Sequence, residues 1–168
     1  MTGLASATLA VLLAIMAPMA ASGTAAPAVP YAADLWRDSM EAKRSATPLV
    51  LLFTLPDCAY CHTVRQNYLA PLVRDEKRQR LIVREIVIDG QLSALGLDGK
   101  LATHRELARR FKARVGPTVL FVDAAGQALA PPLVGGDTAG MYGAYLDHRL
   151  AAARAQLAAP ATQNRIAP

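Results

Sequence analysis

Short continuous apolar runs alternate along the chain with stretches in which apolar residues recur every three or four positions. Leu49 to Leu55 (LVLLFTL) is bounded by proline on both sides, which predicts a strand buried on both faces. Leu81 to Asp89 (LIVREIVID) is β-branched and mostly apolar, a second strand. Thr118 to Asp123 (TVLFVD) is a third. Leu129 to Val134 is a fourth, confined to an edge because Pro131 and Pro132 lack donors. Ala124-Ala125-Gly126 turns the chain between the last two, making them an antiparallel hairpin.

Helical spacing fills the gaps. Asp34 to Ser45 reads as an amphipathic helix carrying Leu35, Trp36 and Met40, stopped by Pro48. A helix starting near Cys58 runs to about Leu69, where Pro71 breaks it, and a short helical turn covers Arg74 to Arg80. Gln91 to Lys100 reads as a loop. Thr103 and Glu106 have the spacing of a capping box for a helix reaching Ala113, and Thr138 to Leu157 is the last helix. The order α-β-α-β-α-β-β-α predicts an α/β sheet with helices on both faces.

The first 33 residues have no charged side chain, and Leu4 to Met19 is apolar, followed by Ala, Ser, Gly and Pro. That is the composition of an export signal, assigned to residues 1–28 with cleavage between Ala20 and Ala28. An uncleaved anchor is the alternative. Either way the working part, residues 34–157, is expected outside the cytoplasm, periplasmic or secreted, with 158–168 a flexible tail.

The chain has 168 residues and a net charge of +5, a length that suits one domain able to bury a core without staples. Charge is spread rather than concentrated in a run, so no nucleic-acid partner is expected. Only two cysteines are present, which excludes a disulfide-rich scaffold and a four-cysteine zinc site.

Those cysteines, Cys58 and Cys61, stand together at the start of a helix that follows a buried strand. Helix-end N–H groups and the helix dipole favour thiolate over thiol, and only the thiolate attacks a disulfide. Cys58 is assigned as the exposed nucleophile. Cys61, a turn deeper, is the thiol that resolves the mixed disulfide. His62 and Arg65 on the next turn bring positive charge towards the sulfurs. The same letters, Cys58-Ala59-Tyr60-Cys61-His62, also spell the attachment motif of c-type haem, with Met141 as a second axial ligand. The buried strand ahead of the motif and the α/β alternation weigh against that alternative. The spacing of His62, His104 and His148 does not suit zinc, and each reads as a surface residue, so no metal site is expected.

Leu49 to Gly136 resembles the thioredoxin superfamily: LVLLFTLPDCAYC, then IVREIVID, then VGPTVLFVDAAGQ and LVGG. The resemblance implies a thioredoxin fold, a four-stranded mixed sheet flanked by helices. It implies that Gly116–Pro117 is a cis bond in a loop packed against the cysteines. There Pro117 shapes the groove, Gly116 and Thr118 offer backbone groups to a substrate peptide, and Tyr60 lies on the rim. Three features depart from the family. Gly116 stands where a larger side chain is usual. Asp57 and Ala59-Tyr60 replace the Trp and Gly-Pro of cytoplasmic thioredoxins. The strand before the cysteines is apolar through Leu52, where those proteins have a buried acid. The helix ending in NYLAP and the DAAGQALAPPLVGG stretch look like those of secreted bacterial thioredoxin-like proteins, which implies a monomeric thiol:disulfide oxidoreductase without cofactor, acting on disulfide or dithiol protein partners and supplied with electrons by a membrane protein. A binding protein of the same fold with non-catalytic cysteines is the remaining reading.

Overall fold

A computed structural model describes residues 29–75 and 80–159. The signal segment expected over 1–28, most of the turn expected over 74–80 and the expected tail from 160 onward lie outside the described residues. The elements run α1 (Leu35–Ser45), β1 (Leu49–Thr54), α2 (Ala59–Thr63), a π-helical stretch (Val64–Leu69), α3 (Ala70–Arg74), β2 (Ile82–Val87), β3 (Ser93–Leu95), β4 (Leu101–Thr103), α4 (His104–Arg110), β5 (Thr118–Val122), β6 (Ala128–Val134) and α5 (Tyr142–Ala158).

The four-stranded sheet has the order β2-β1-β5-β6. β1 runs parallel to β2 and antiparallel to β5, and β5 pairs antiparallel with β6. Successive strand residues face opposite sides, and both sides are covered. Val50 and Leu52 meet Val64, Leu69, Leu146 and Leu150; Leu49, Leu51 and Phe53 meet Leu35, Leu107 and Ala108. Every residue of β1 is therefore buried, and each large apolar one contributes about 1.5–3 kcal/mol. β6 is an edge strand, its two prolines facing solvent.

Several expectations need correction. Pro71 does not end the helix. The backbone widens to a π register just before it, with Ala70 N–H donating to Arg65 O, and Pro71 then falls in the first turn of α3 where a missing N–H is tolerated. The segment Gln91–Lys100 is not wholly loop, since Ser93–Leu95 pairs antiparallel with Leu101–Thr103; three-residue strands give too little alternation to be visible in the sequence. The last helix begins at Tyr142 rather than Thr138, because Gly140 turns left-handed (φ 70°) and Asp137 Oδ1 receives Tyr142 N–H at 3.4 Å. On α1 the buried face is Leu35, Asp38, Ser39 and Ala42, while Trp36 and Met40 stay exposed. Asp38 turns inward because Arg84 of β2 grips it with two hydrogen bonds of 2.8 Å.

His104 is fully buried, not a surface residue. Nε2 lies 2.8 Å from Ala32 O and Nδ1 receives Val87 N–H at 3.1 Å, so the ring ties the N-terminal segment to the end of β2. The Thr103–Glu106 capping box at the start of α4 is formed.

Candidate functional site

β1 delivers the chain to the C-terminal edge of the sheet, where Leu55-Pro56-Asp57 turns it into α2. Asp57 takes the left-handed conformation (φ 53°), which Asp tolerates better than most residues. The turn leaves Cys58 at the N-cap of α2 in an extended conformation, its sulfur receiving Cys61 N–H at 3.1 Å. The sulfur thus stands where a capping oxygen commonly sits, facing the unpaired N–H groups of the first turn. Cys58 is half-buried and Cys61 is 1% exposed. The two are joined as a disulfide with Cα atoms 5.2 Å apart, so the described state is the oxidised one.

The loop before β5 lies directly against this pair. The Gly116–Pro117 bond is cis, and Gly116 O is 3.8 Å from Cys58 Sγ. Pro117 O receives Gly135 N–H at 2.8 Å, and Thr118 Oγ1 donates to Val115 O at 2.8 Å. Two segments remote in sequence, 58–61 and 116–118, therefore share one surface.

The sequence profile of the thioredoxin-like domain family matches residues 37–150, a span that contains both segments. The chain belongs to the thioredoxin-like domain family. With its cysteines paired at the head of α2, this thioredoxin-like protein is a thiol:disulfide oxidoreductase. Among solved structures it is similar to a thioredoxin of Fasciola hepatica (11% identity, 73% of this chain and 97% of that one, TM-score 0.49). It is also similar to oxidised thioredoxin O2 of Arabidopsis thaliana (14%, 72% and 94%, TM-score 0.47) and a thioredoxin-fold protein of Helicobacter pylori (16%, 66% and 82%, TM-score 0.45). No curated protein sequence matches.

Around the dithiol of this thioredoxin-like protein, Tyr60 is exposed and rests on Gly136, where a Cβ would come within 2.5 Å of its ring. The Gly136 loop is moored by a hydrogen bond from Tyr68 Oη to Asp137. That bond holds the Asp137 carboxyl below the usual carboxylate range and pushes the Tyr68 phenol up. Burial raises the phenol of Tyr142, which packs on Tyr68.

On the β2 side of Cys58 is an open cleft of about 460 Å³, walled by Tyr31, Thr54, His62, Arg65 and Glu85. His62 is exposed at its mouth. Arg65 does not offer a free charge to the sulfurs. Its Nε and Nη2 bind the two oxygens of Glu85 at 2.7 and 2.5 Å, and this pairing raises the guanidinium pKa further.

Glu85 is the residue the sequence reading missed. The strand before the cysteines is apolar, but Leu52 of β1 pairs in register with Glu85 of β2, so a buried carboxylate lies one strand away. It is 1% exposed and also receives Thr54 Oγ1–H at 2.7 Å. The clue was available: Arg84 and Glu85 are adjacent charges in a strand buried on both faces, and each requires a partner on its own side. Asp38 and Arg65 are those partners. Among the described residues no group of three or more His, Cys, Asp or Glu is placed to hold a metal ion.

Proposed function

We propose that this thioredoxin-like protein is exported and exchanges disulfides with partner proteins, Cys58 attacking and Cys61 resolving. The observation that carries the reading is the unequal burial of two sulfurs at one helix end: Cys58 can be approached from outside and Cys61 cannot. In the reduced protein the N–H groups of the first turn of α2 hold Cys58 as thiolate. The thiolate attacks one sulfur of a partner disulfide. A Cys58–partner bond forms, the partner S–S bond breaks, and the departing thiolate takes up a proton. Cys61 then loses its proton and attacks Cys58 Sγ. The Cys58–Cys61 bond forms and the second partner thiol leaves. Two electrons pass from the dithiol to the partner; of the two protons the partner thiols take up, one is released by Cys61 and the other comes from solvent. Starting from the oxidised form, the same steps run in reverse on a partner dithiol.

Pro117 and the backbone of Gly116 and Thr118 seat the partner chain beside Cys58, with Tyr60 as the outer wall. No cofactor enters these steps, and membership of the thioredoxin-like family favours them over haem attachment. The composition of residues 1–28 supports export; among the described residues no helix is long and apolar enough to cross a membrane.

Cys58→Ser is expected to abolish insulin reduction, and Cys61→Ser to accumulate mixed disulfides with partners. Full activity of Cys58→Ser would overturn the assignment. A binding protein with inert cysteines predicts instead that iodoacetamide leaves the reduced protein unmodified at pH 6–7, well below the pKa of about 8.5 of an ordinary thiol.

A further inference from the structure

We propose that the segment Lys112–Val115 selects partners whose disulfide is flanked by acidic residues. The inference rests on the thiol-exchange reading above and names the partner chemistry.

Residues 105–114 contain five cations, Arg105, Arg109, Arg110, Lys112 and Arg114, and one carboxylate, Glu106. Most of these charges are engaged. Glu106 closes the capping box and has Arg109 beside it. Arg110 faces Asp98 at 3.4 Å, and Arg105 Nη2 donates to Asp89 O at 3.2 Å. Among the described residues no carboxylate pairs with Lys112 or Arg114.

The backbone fixes where those two cations lie. Lys112 leaves α4 in the left-handed conformation (φ 57°), and Ala113 is pinned, its N–H on Ala108 O at 2.9 Å and its side chain buried. With Ala113 inward, Lys112, Arg114 and Val115 are all exposed. Consecutive Cα atoms are 3.8 Å apart, so the Arg114 Cα is at most about 7.6 Å from that of Gly116, whose carbonyl oxygen is 3.8 Å from Cys58 Sγ. From that point an arginine side chain is long enough to reach a peptide laid along 116–118.

The opposite flank differs in charge. Across β1, the cleft beside Cys58 has the carboxylates of Asp57 and Glu85, with Arg65 neutralising only Glu85. An acidic side chain is therefore favoured on the β5 flank and opposed by Asp57 on the β2 flank. Exposed charges act over about 10 Å at 0.1 M salt, so the selection is strong only at low ionic strength.

The test uses the full chain, recycled by dithiothreitol, and three disulfide-linked peptide probes. The probes are identical except for Glu, Gln or Lys at the positions flanking the cysteine. The expected kcat/KM ratio of the Glu probe to the Lys probe is about tenfold or more at about 20 mM ionic strength, falling to under about twofold at about 500 mM. Lys112→Glu/Arg114→Glu is expected to invert the ratio. Because the readout is a ratio within one protein sample, a general loss of folded material does not move it. Equal turnover of the three probes, or a preference that survives the double reversal, overturns the inference while leaving the exchange reading intact. No turnover of any probe overturns both.

Discussion

Gly116 and Cys61 meet more tightly than an added side chain would ordinarily allow: a Cβ on Gly116 would stand 3.1 Å from Cys61 Sγ and 3.1 Å from Leu55 N. The loop carrying Pro117 is thus seated on the buried sulfur itself, and its far side is fastened by the Gly135 N–H on Pro117 O. The glycine that departs from the family pattern has a local cause. In this chain the space that a larger residue would need is occupied by Cys61 and the end of β1.

Gly116→Ala is therefore expected to destabilise the oxidised protein by about 1–3 kcal/mol, the usual cost of forcing an extra carbon into a packed site, and Gly116→Val by more. Urea unfolding of the oxidised form measures this. The neighbours that must move include Cys61 Sγ, so the Ala variant should also reduce insulin more slowly than the parent. A variant as stable and as active as the parent would show that the loop is not seated as described.

The Arg65–Glu85 pair makes a second prediction. Arg65→Ala leaves a carboxylate that is 1% exposed with only Thr54 as side-chain partner, and breaking a buried pair from one side costs about 3–5 kcal/mol. Glu85→Ala strands a partly exposed guanidinium and should cost less. Arg65→Met/Glu85→Leu removes both charges and fills the space, so it should be more stable than Arg65→Ala alone. Additive losses across these variants in urea denaturation would mean the two side chains do not act as a pair.

How far the sequence carried the reading depends on what each residue contacts. β1 and the cysteine turn were legible because their signals are local: an apolar run between prolines, and two sulfurs three positions apart. The edge position of β6 was legible from Pro131 and Pro132 for the same reason. What escaped was set by contacts distant along the chain. Asp38 faces inward because Arg84 lies 46 residues away, and Arg65 loses its free charge to Glu85, 20 residues away. The continuation of the helix past Pro71 depends on a change of backbone register that no residue letter signals.

Asp57 supplies a third test, one that separates backbone from side chain. Its φ of 53° is adjacent to Cys58, so it aims the N-cap of α2. Asp57→Gly keeps that conformation without steric cost and should leave stability within about 1 kcal/mol. Asp57→Val places a β-branched residue in the left-handed region and should cost about 1–3 kcal/mol, with slower alkylation of Cys58 in the reduced protein as its N-cap geometry relaxes. Equal stability of the Gly and Val variants would show that this backbone angle is not imposed by the fold.

The mooring of the Gly136 loop should depend on pH. Hydrogen bonds from Tyr68 Oη, and from the backbone of Tyr142, Gly140 and Met141, favour the ionised Asp137 carboxylate and depress its folded-state pKa. A group depressed on folding stabilises the protein fully above its unfolded pKa, about 3.9 for aspartate, and loses that contribution as pH falls through the lower folded value. Asp137→Asn accepts weaker hydrogen bonds and does not titrate. Its urea midpoint should therefore lie below the parent's at pH 7 and at pH 5, and the gap should narrow as the pH falls below about 4. Tyr68→Phe should show the same narrowing, because it removes the principal donor. A gap that stays constant from pH 7 to the acid limit in both variants would mean that the charge of Asp137 does not hold the loop against Tyr60.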